Sequence, residues 1–374
     1  VLPIQIVITL LAFITAGSIL VTGSAPAIVA YHLIFAIGII PLIFAAMMHF
    51  IPVLTRSVRA SASVQRLPLL AMIGGGALIL HLISPQTYVY GQYLGAILVI
   101  LATFTLACWA WRRRKGAIGD AHPCLDWYLA ALVCLIIAMA AILMIYMMPE
   151  YSRELRILHL HLNTLGFIGI TAIATLQVLL PTVAYKADPE SVMRLRKNLK
   201  WMIGGVLYCA CAAALHKGIA WVALILFAIP LARIAKSWLR LYGSSIFKCH
   251  GAAPLLGSAL LGFMFALVIG GLHGLGFLEL QPIAAFITAF LMPLILGAVS
   301  HLLPIWVRPG VQTSWHQSFR EWLGFCHGLR GLVLLLGGVL VSLGISAGWY
   351  LVLFAIVTFI LQMVLLRWSD LLGQ

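Results

Sequence analysis

The sequence predicts an all-α, polytopic membrane protein of twelve transmembrane helices arranged as three pseudo-repeats of four. Three observations predict it. The first is composition: 63% of the residues are hydrophobic, 9% are charged and the mean hydropathy is +1.11, whereas about a quarter of a soluble domain is charged. The second is the spacing of apolar runs, and the third is internal repetition. Pro41-Leu42-Ile43-x-x-Ala46-x-x-His49-x-x-Pro52 returns as Pro293-Leu294-Ile295-x-x-Ala298-x-x-His301-x-x-Pro304, and a weaker middle copy runs from His159 and His161 to Pro181. The closing prolines are 129 and then 123 residues apart. That period sets repeats of about 1–115, 120–240 and 250–370 within one membrane domain, 1–374.

In chain order, the first apolar run, 4–22, follows an apolar Val1 with no basic region before it, and reads as a retained helix rather than a signal peptide. The second, 28–54, is the repeated one; its 20 steps from His32 to Pro52 span about 30 Å, one hydrocarbon thickness. The third, 67–85, carries Gly74-Gly75-Gly76, small residues that let helix backbones approach. The fourth, 90–111, stops at Arg112-Arg113-Arg114-Lys115, and the fifth, 127–148, ends in Met144, Met147 and Met148. The sixth, 157–184, is the middle copy, followed by 199–216 and 218–235. The last repeat supplies 252–275 with Gly270-Gly271, 282–307, 325–345 and 348–366.

Eighteen lysines and arginines fall in the even-numbered connections, against Arg153, Arg156 and Lys217 in the odd ones. Basic residues favour the cytoplasmic side, so both termini are expected there, in a bacterial-type inner (cytoplasmic) membrane. The net charge of +14 is then a property of membrane-flanking loops facing a lipid bilayer, and no nucleic-acid partner is implied.

This topology sorts the histidines by depth. His32, His81, His159, His161, His216 and His273 fall toward the outer face, and His49, His301 and His327 toward the inner one. Ionisable groups inside a membrane are costly and default to function. Carboxylates instead lie in or beside connections, where they do not build a proton path. Neutral imidazole is both a common transition-metal ligand and the axial ligand of b-type haem. His49 and His301 occupy equivalent positions in the first and third repeats and form an inner candidate haem pair; the bland alternative is a histidine bonding a carbonyl freed by the proline that follows. His32 and His161 are repeat-equivalent and form an outer pair, while His159, His161, His216 and His273 are the candidate metal ligands. His159 and His161 are two apart and diverge by about 200° on one helix, so they serve one metal together only if the helix starts between them. Methionine thioethers near the outer end of the fifth helix suit Cu(I), and equally suit packing. Arg330 is a candidate partner for a haem propionate, or a snorkelling cation.

The seven cysteines show no CxxC spacing and describe no disulfide framework. Cys249-His250 and Cys326-His327 open the ninth and eleventh helices and read first as interfacial caps; a metal site there requires separate helices to converge.

Twelve helices in three sets of four, with histidines opening helices two and six and His216 closing helix seven, resemble subunit I of the haem–copper oxidases and the related NnrS membrane proteins. The resemblance implies that His32 stands where that family's second helix carries a low-spin haem ligand. It implies also that His159 or His161, together with the Ala-Leu-His216 end, stands where copper ligands occur. The tenth helix, by contrast, opens Gln281-Pro282-Ile283-Ala284-Ala285 without a histidine, and Asn163 and Leu165 replace a sixth-helix tyrosine. The expected function is therefore a b-type haem protein, with copper as a second cofactor, for electron transfer or nitric oxide handling in a respiratory membrane rather than a proton-pumping oxidase. If it is an enzyme, it is an oxidoreductase of that type, and other redox subunits are its expected partners. The alternatives are a twelve-helix transporter or metal exporter and a cofactor-free subunit of a respiratory complex.

Overall fold

The computed structural model describes residues 1–277 and 279–372. Among the described residues there is no strand, and twelve helices are long and apolar enough to cross a membrane. They are α1 (Leu2–Thr22), α2 (Ala27–Thr55), α3 (Ala62–Ile83), α4 (Gly91–Lys115), α5 (Cys124–Met147), α6 (Pro149–Val183), α7 (Ser191–His216), α8 (Gly218–Ile246), α9 (Ala253–Gly274), α10 (Pro282–Val307), α11 (Ser314–Ser342) and α12 (Ala347–Leu365). The chain is thus a polytopic helical membrane protein. The side chains of Lys217 and Asp370 lie outside the described residues.

Two boundaries differ from expectation. Helix α6 begins with a 3₁₀ turn at Pro149–Tyr151, ahead of the run at 157–184, because the polar Ser152–Arg156 turn is helical as well. Helix α11 begins with an amphipathic part, Ser314–Leu323, and breaks at Gly324-Phe325-Cys326 before its apolar part, His327–Ser342. His316 caps that first part: its Nδ1 accepts the Thr313 N–H (3.0 Å) and its Nε2–H donates to the Arg308 carbonyl (2.9 Å). Both ring nitrogens are occupied, which makes this histidine structural.

The helices gather into two compact units, Val1–Thr175 with Glu190–Pro230, and Leu176–Pro189 with Leu231–Gln374. In the first, α4 and α5 are tied at their ends by the Arg114–Asp126 ion pair (2.6 Å). The buried Trp127 donates its Nε1–H to the Leu195 carbonyl of α7 (3.1 Å). Gly75 lies against the Ala36 carbonyl, where a Cβ would stand 2.6 Å from the oxygen; the backbones of α2 and α3 meet there because no side chain intervenes.

Wide π turns interrupt α2 at Leu33–Ile39, α6 at Leu162–Gly169 and α10 at Phe286–Leu291. Two of them end immediately before Ile40-Pro41 and Met292-Pro293. Proline lacks an N–H and its ring clashes with the carbonyl four residues back, so the turn ahead of it opens. Residues of α1 reach this stretch: Gln5 Nε2 donates to Ile37 O (3.4 Å), the carbonyl four before Pro41, and the fully buried Thr9 hydroxyl, whose shorter bond is to Gln5 O (2.7 Å), lies 3.1 Å from Gly38 O. Polar residues inside an apolar helix thereby satisfy a neighbour's backbone, as a membrane interior requires. The π turn of α6 ends at Ile170, with no proline.

His122 precedes α5 and accepts the Cys124 N–H at Nδ1 (3.3 Å). Burial holds its pKa below the ordinary 6.5. A folded pKa below the unfolded one means stability that is complete above 6.5 and lost as pH falls through the folded value. Protonation removes the acceptor and places a cation at a helix N-terminus, where the dipole disfavours it. We expect the melting temperature of the detergent-solubilised protein to fall between about pH 7.5 and 5.5, and to fall less in His122→Asn, which retains an acceptor. Equal slopes in the two proteins would refute this role.

Candidate functional site: half-buried histidines of the first unit

His32 ends the first α-helical stretch of α2, Ala27–His32, directly before its π turn; His161 ends Ser152–His161 directly before the π turn of α6. Both repeat-equivalent histidines therefore flank a widened turn, a feature that recurs at functional sites. The ring bonds agree. Nδ1 of His32 lies 2.8 Å from Ile28 O, that of His161 2.9 Å from Ile157 O, and that of His159 3.0 Å from Ala138 O on α5. A carbonyl only accepts, so each Nδ1 carries the proton and donates it. Each neutral ring then has its lone pair on Nε2, the tautomer and the outer partner that orient metal-ligating histidines.

The three rings are half-buried, and His32 and His159 are within electrostatic reach of one another. The α-helix Ser152–His161 runs through both His159 and His161, so the condition for their sharing a metal, a helix start between them, is not met. His159 is anchored on α5 and His161 on its own helix. Asn163, two residues beyond, has a buried Oδ1 with no hydrogen-bond partner. Its signal in the sequence is a polar residue within an apolar run.

The other candidates are placed differently. His216 closes α7 in the first unit and is exposed; His273 closes α9 in the second unit and is exposed. His49, in the first unit, is half-buried with its ring edge-on to Phe50 (centroids 5.3 Å apart). His301, in the second, is buried; its ring faces Tyr185 at 6.2 Å and its carbonyl accepts Arg320 Nε–H (3.1 Å). Arg330 is buried on α11. Its Nη2 donates to Gln362 Oε1 (2.8 Å), its guanidinium lies 5.5 Å from the centre of the Phe359 ring, and its Nη1 has no partner. His327 donates Nδ1–H to Gly251 O (3.2 Å) and leaves a buried, unpartnered Nε2.

No family model, curated protein or solved structure matches the chain.

Proposed function

We propose that this membrane protein holds a b-type haem, with copper as a second metal suited to the same donors, and uses it for electron transfer or diatomic gas handling in a respiratory membrane. The observation that carries the reading is the set of half-buried imidazoles His32, His159 and His161. Each is oriented by an Nδ1–H bond to a backbone carbonyl and each offers Nε2. His32 with either His159 or His161 supplies two such donors from separate helices, in an apolar setting, which fit an iron or copper centre chemically. Haem iron would supply one-electron exchange and gas binding; the chain would supply axial ligands, an apolar surround and the field that sets the potential. His216, exposed at the end of α7 in the same unit, is an additional donor.

The test is the optical spectrum of the detergent-purified protein, oxidised and dithionite-reduced, with a pyridine haemochrome assay and copper analysis on the same sample. Stoichiometric b haem with sharp reduced bands is the expected result. A colourless, metal-free preparation from haem-replete cells would overturn it and favour transport or assembly.

A further inference from the structure

Two Cys-His pairs 77 residues apart in the sequence, each before a membrane helix, are joined in the second unit by a clasp of backbone and ring bonds. Gly251 N–H donates to Gly324 O (2.8 Å) and Gly328 N–H to Cys249 O (2.8 Å). Cys326 N–H donates to His250 Nδ1 (3.0 Å), and His327 Nδ1–H to Gly251 O (3.2 Å). Glycines make the approach possible: a Cβ on Gly328 would stand 2.7 Å from Lys248 O, and one on Gly324 2.9 Å from the Gly251 Cα. The clasp brings one ligand atom from each of Cys249, His250 and Cys326 within 4.8 Å of the others. Cys326 occupies the left-handed region at φ 55°, a conformation that costs a non-glycine residue of order 1 kcal/mol and that here turns its side chain toward Cys249. The His250 ring is stacked on Phe325 (centroids 5.1 Å apart).

We propose that Cys249, His250 and Cys326 form a binding site for a thiophilic d¹⁰ cation, Zn(II) or Cu(I), at the end of α9 and α11. Two sulfurs and one imidazole are the donors that such ions select, and three protein ligands leave a position open for water or an incoming carrier's ligand. Cys249 and His250 are exposed and Cys326 half-exposed, so the ion enters from solution. The buried Arg330 guanidinium is within electrostatic reach of Cys326 and complements a thiolate there. Binding releases the two thiol protons to solvent, with no change of oxidation state. Because neutral imidazole has one lone pair, His250 ligates by giving up the Cys326 N–H bond, whichever nitrogen it uses. The clasp thus exchanges a hydrogen bond for a metal bond. The site uses none of the residues of the haem reading's histidine cluster, and the two stand or fall separately.

The full chain, purified in detergent, stripped of metal and reduced, would be titrated with Co(II) as the Zn(II) probe and, separately, with Cu(I) against a chromophoric chelator. One equivalent should bind with a thiolate-to-cobalt charge-transfer band. Cys249→Ser and Cys326→Ser should each weaken binding by ~100-fold or more, beyond the 10–100-fold typical of an outer-shell loss, while Cys211→Ser, an exposed cysteine of the first unit, binds as wild type. Preference between the arms identifies the ion. In the unaltered protein, bound metal should shield Cys249 and Cys326, but not Cys211, from alkylation; this keeps the test decisive if a variant misfolds. No thiolate band, equal affinity in all three variants, no selective shielding, or a Cys249–Cys326 disulfide as the state present in metal-replete cells would each overturn the site.

Discussion

Gly262→Ala is expected to destabilise the protein by ~3 kcal/mol or more, at the upper end of what overpacking costs. A Cβ on Gly262 of α9 would fall inside the carbonyl group of Ala289, in the π turn of α10. Both sides of that clash are backbone, so no rotamer change relieves it; one helix has to move. Movement there disturbs a packed region, since Phe263, next to Gly262, meets Phe286 and Phe290 with ring centroids 6.3 and 4.8 Å away. The contact also has a use. Pro293 provides no N–H to Ala289 O, four residues before it, and the close approach of α9 brings Cα–H groups to that oxygen, a weak but recurring form of satisfaction at helix interfaces. Gly204→Ala on α7 is the matched control: nothing lies within 4 Å of its Cβ position, and the substitution should be neutral or stabilising by about 0.5–1 kcal/mol. Thermal unfolding of the two variants in the same detergent checks the pair, and equal melting temperatures would refute the contact.

The spans were legible because crossing a bilayer is a property of length and composition, readable without knowing any neighbour. The helical stretch Ser314–Leu323 was not, since it is amphipathic and fails an apolar-run criterion, whereas the expected run from 325 begins at the break itself. Pro41 and Pro293 were visible landmarks of the repeat, yet the widened turns that they end belong to the residues before them. The turn at Leu162–Gly169, with Ile170 where a proline would stand, had no sequence signal at all. Counted back from Pro52, Pro181 and Pro304, the three turns fall at similar positions. Depth along a helix could be counted, whereas azimuth could not. Hence the sequence grouped His32 with His161 by position, and missed that His159 turns to Ala138 on α5. The Cys-His clasp depends on hydrogen bonds between residues 76 apart in the chain, which no local pattern announces.

Alanine in place of His32 or His159 should lower the cofactor content of the purified protein by ~10-fold or more while changing its melting temperature little. The asymmetry follows from what each ring does. As a structural residue, His159 contributes one hydrogen bond, to Ala138 O, with a net value of about 1 kcal/mol. Its loss leaves a carbonyl that remains in its own helix ladder. As a ligand it contributes the Nε2 lone pair, for which no other side chain at that place substitutes. His32 is held by a carbonyl of its own helix, Ile28 O, so its removal disturbs packing between helices even less. External imidazole, small enough to enter the space vacated, should restore part of the absorbance in the alanine variants; a purely structural histidine would show no such rescue. His161→Ala separates the two donors of α6: its ring is oriented apart from that of His159, and a centre built on His32 and His159 should keep its metal when His161 is lost. Unchanged haem and copper in the His32, His159 and His161 variants would remove the first unit's histidines from the cofactor site altogether.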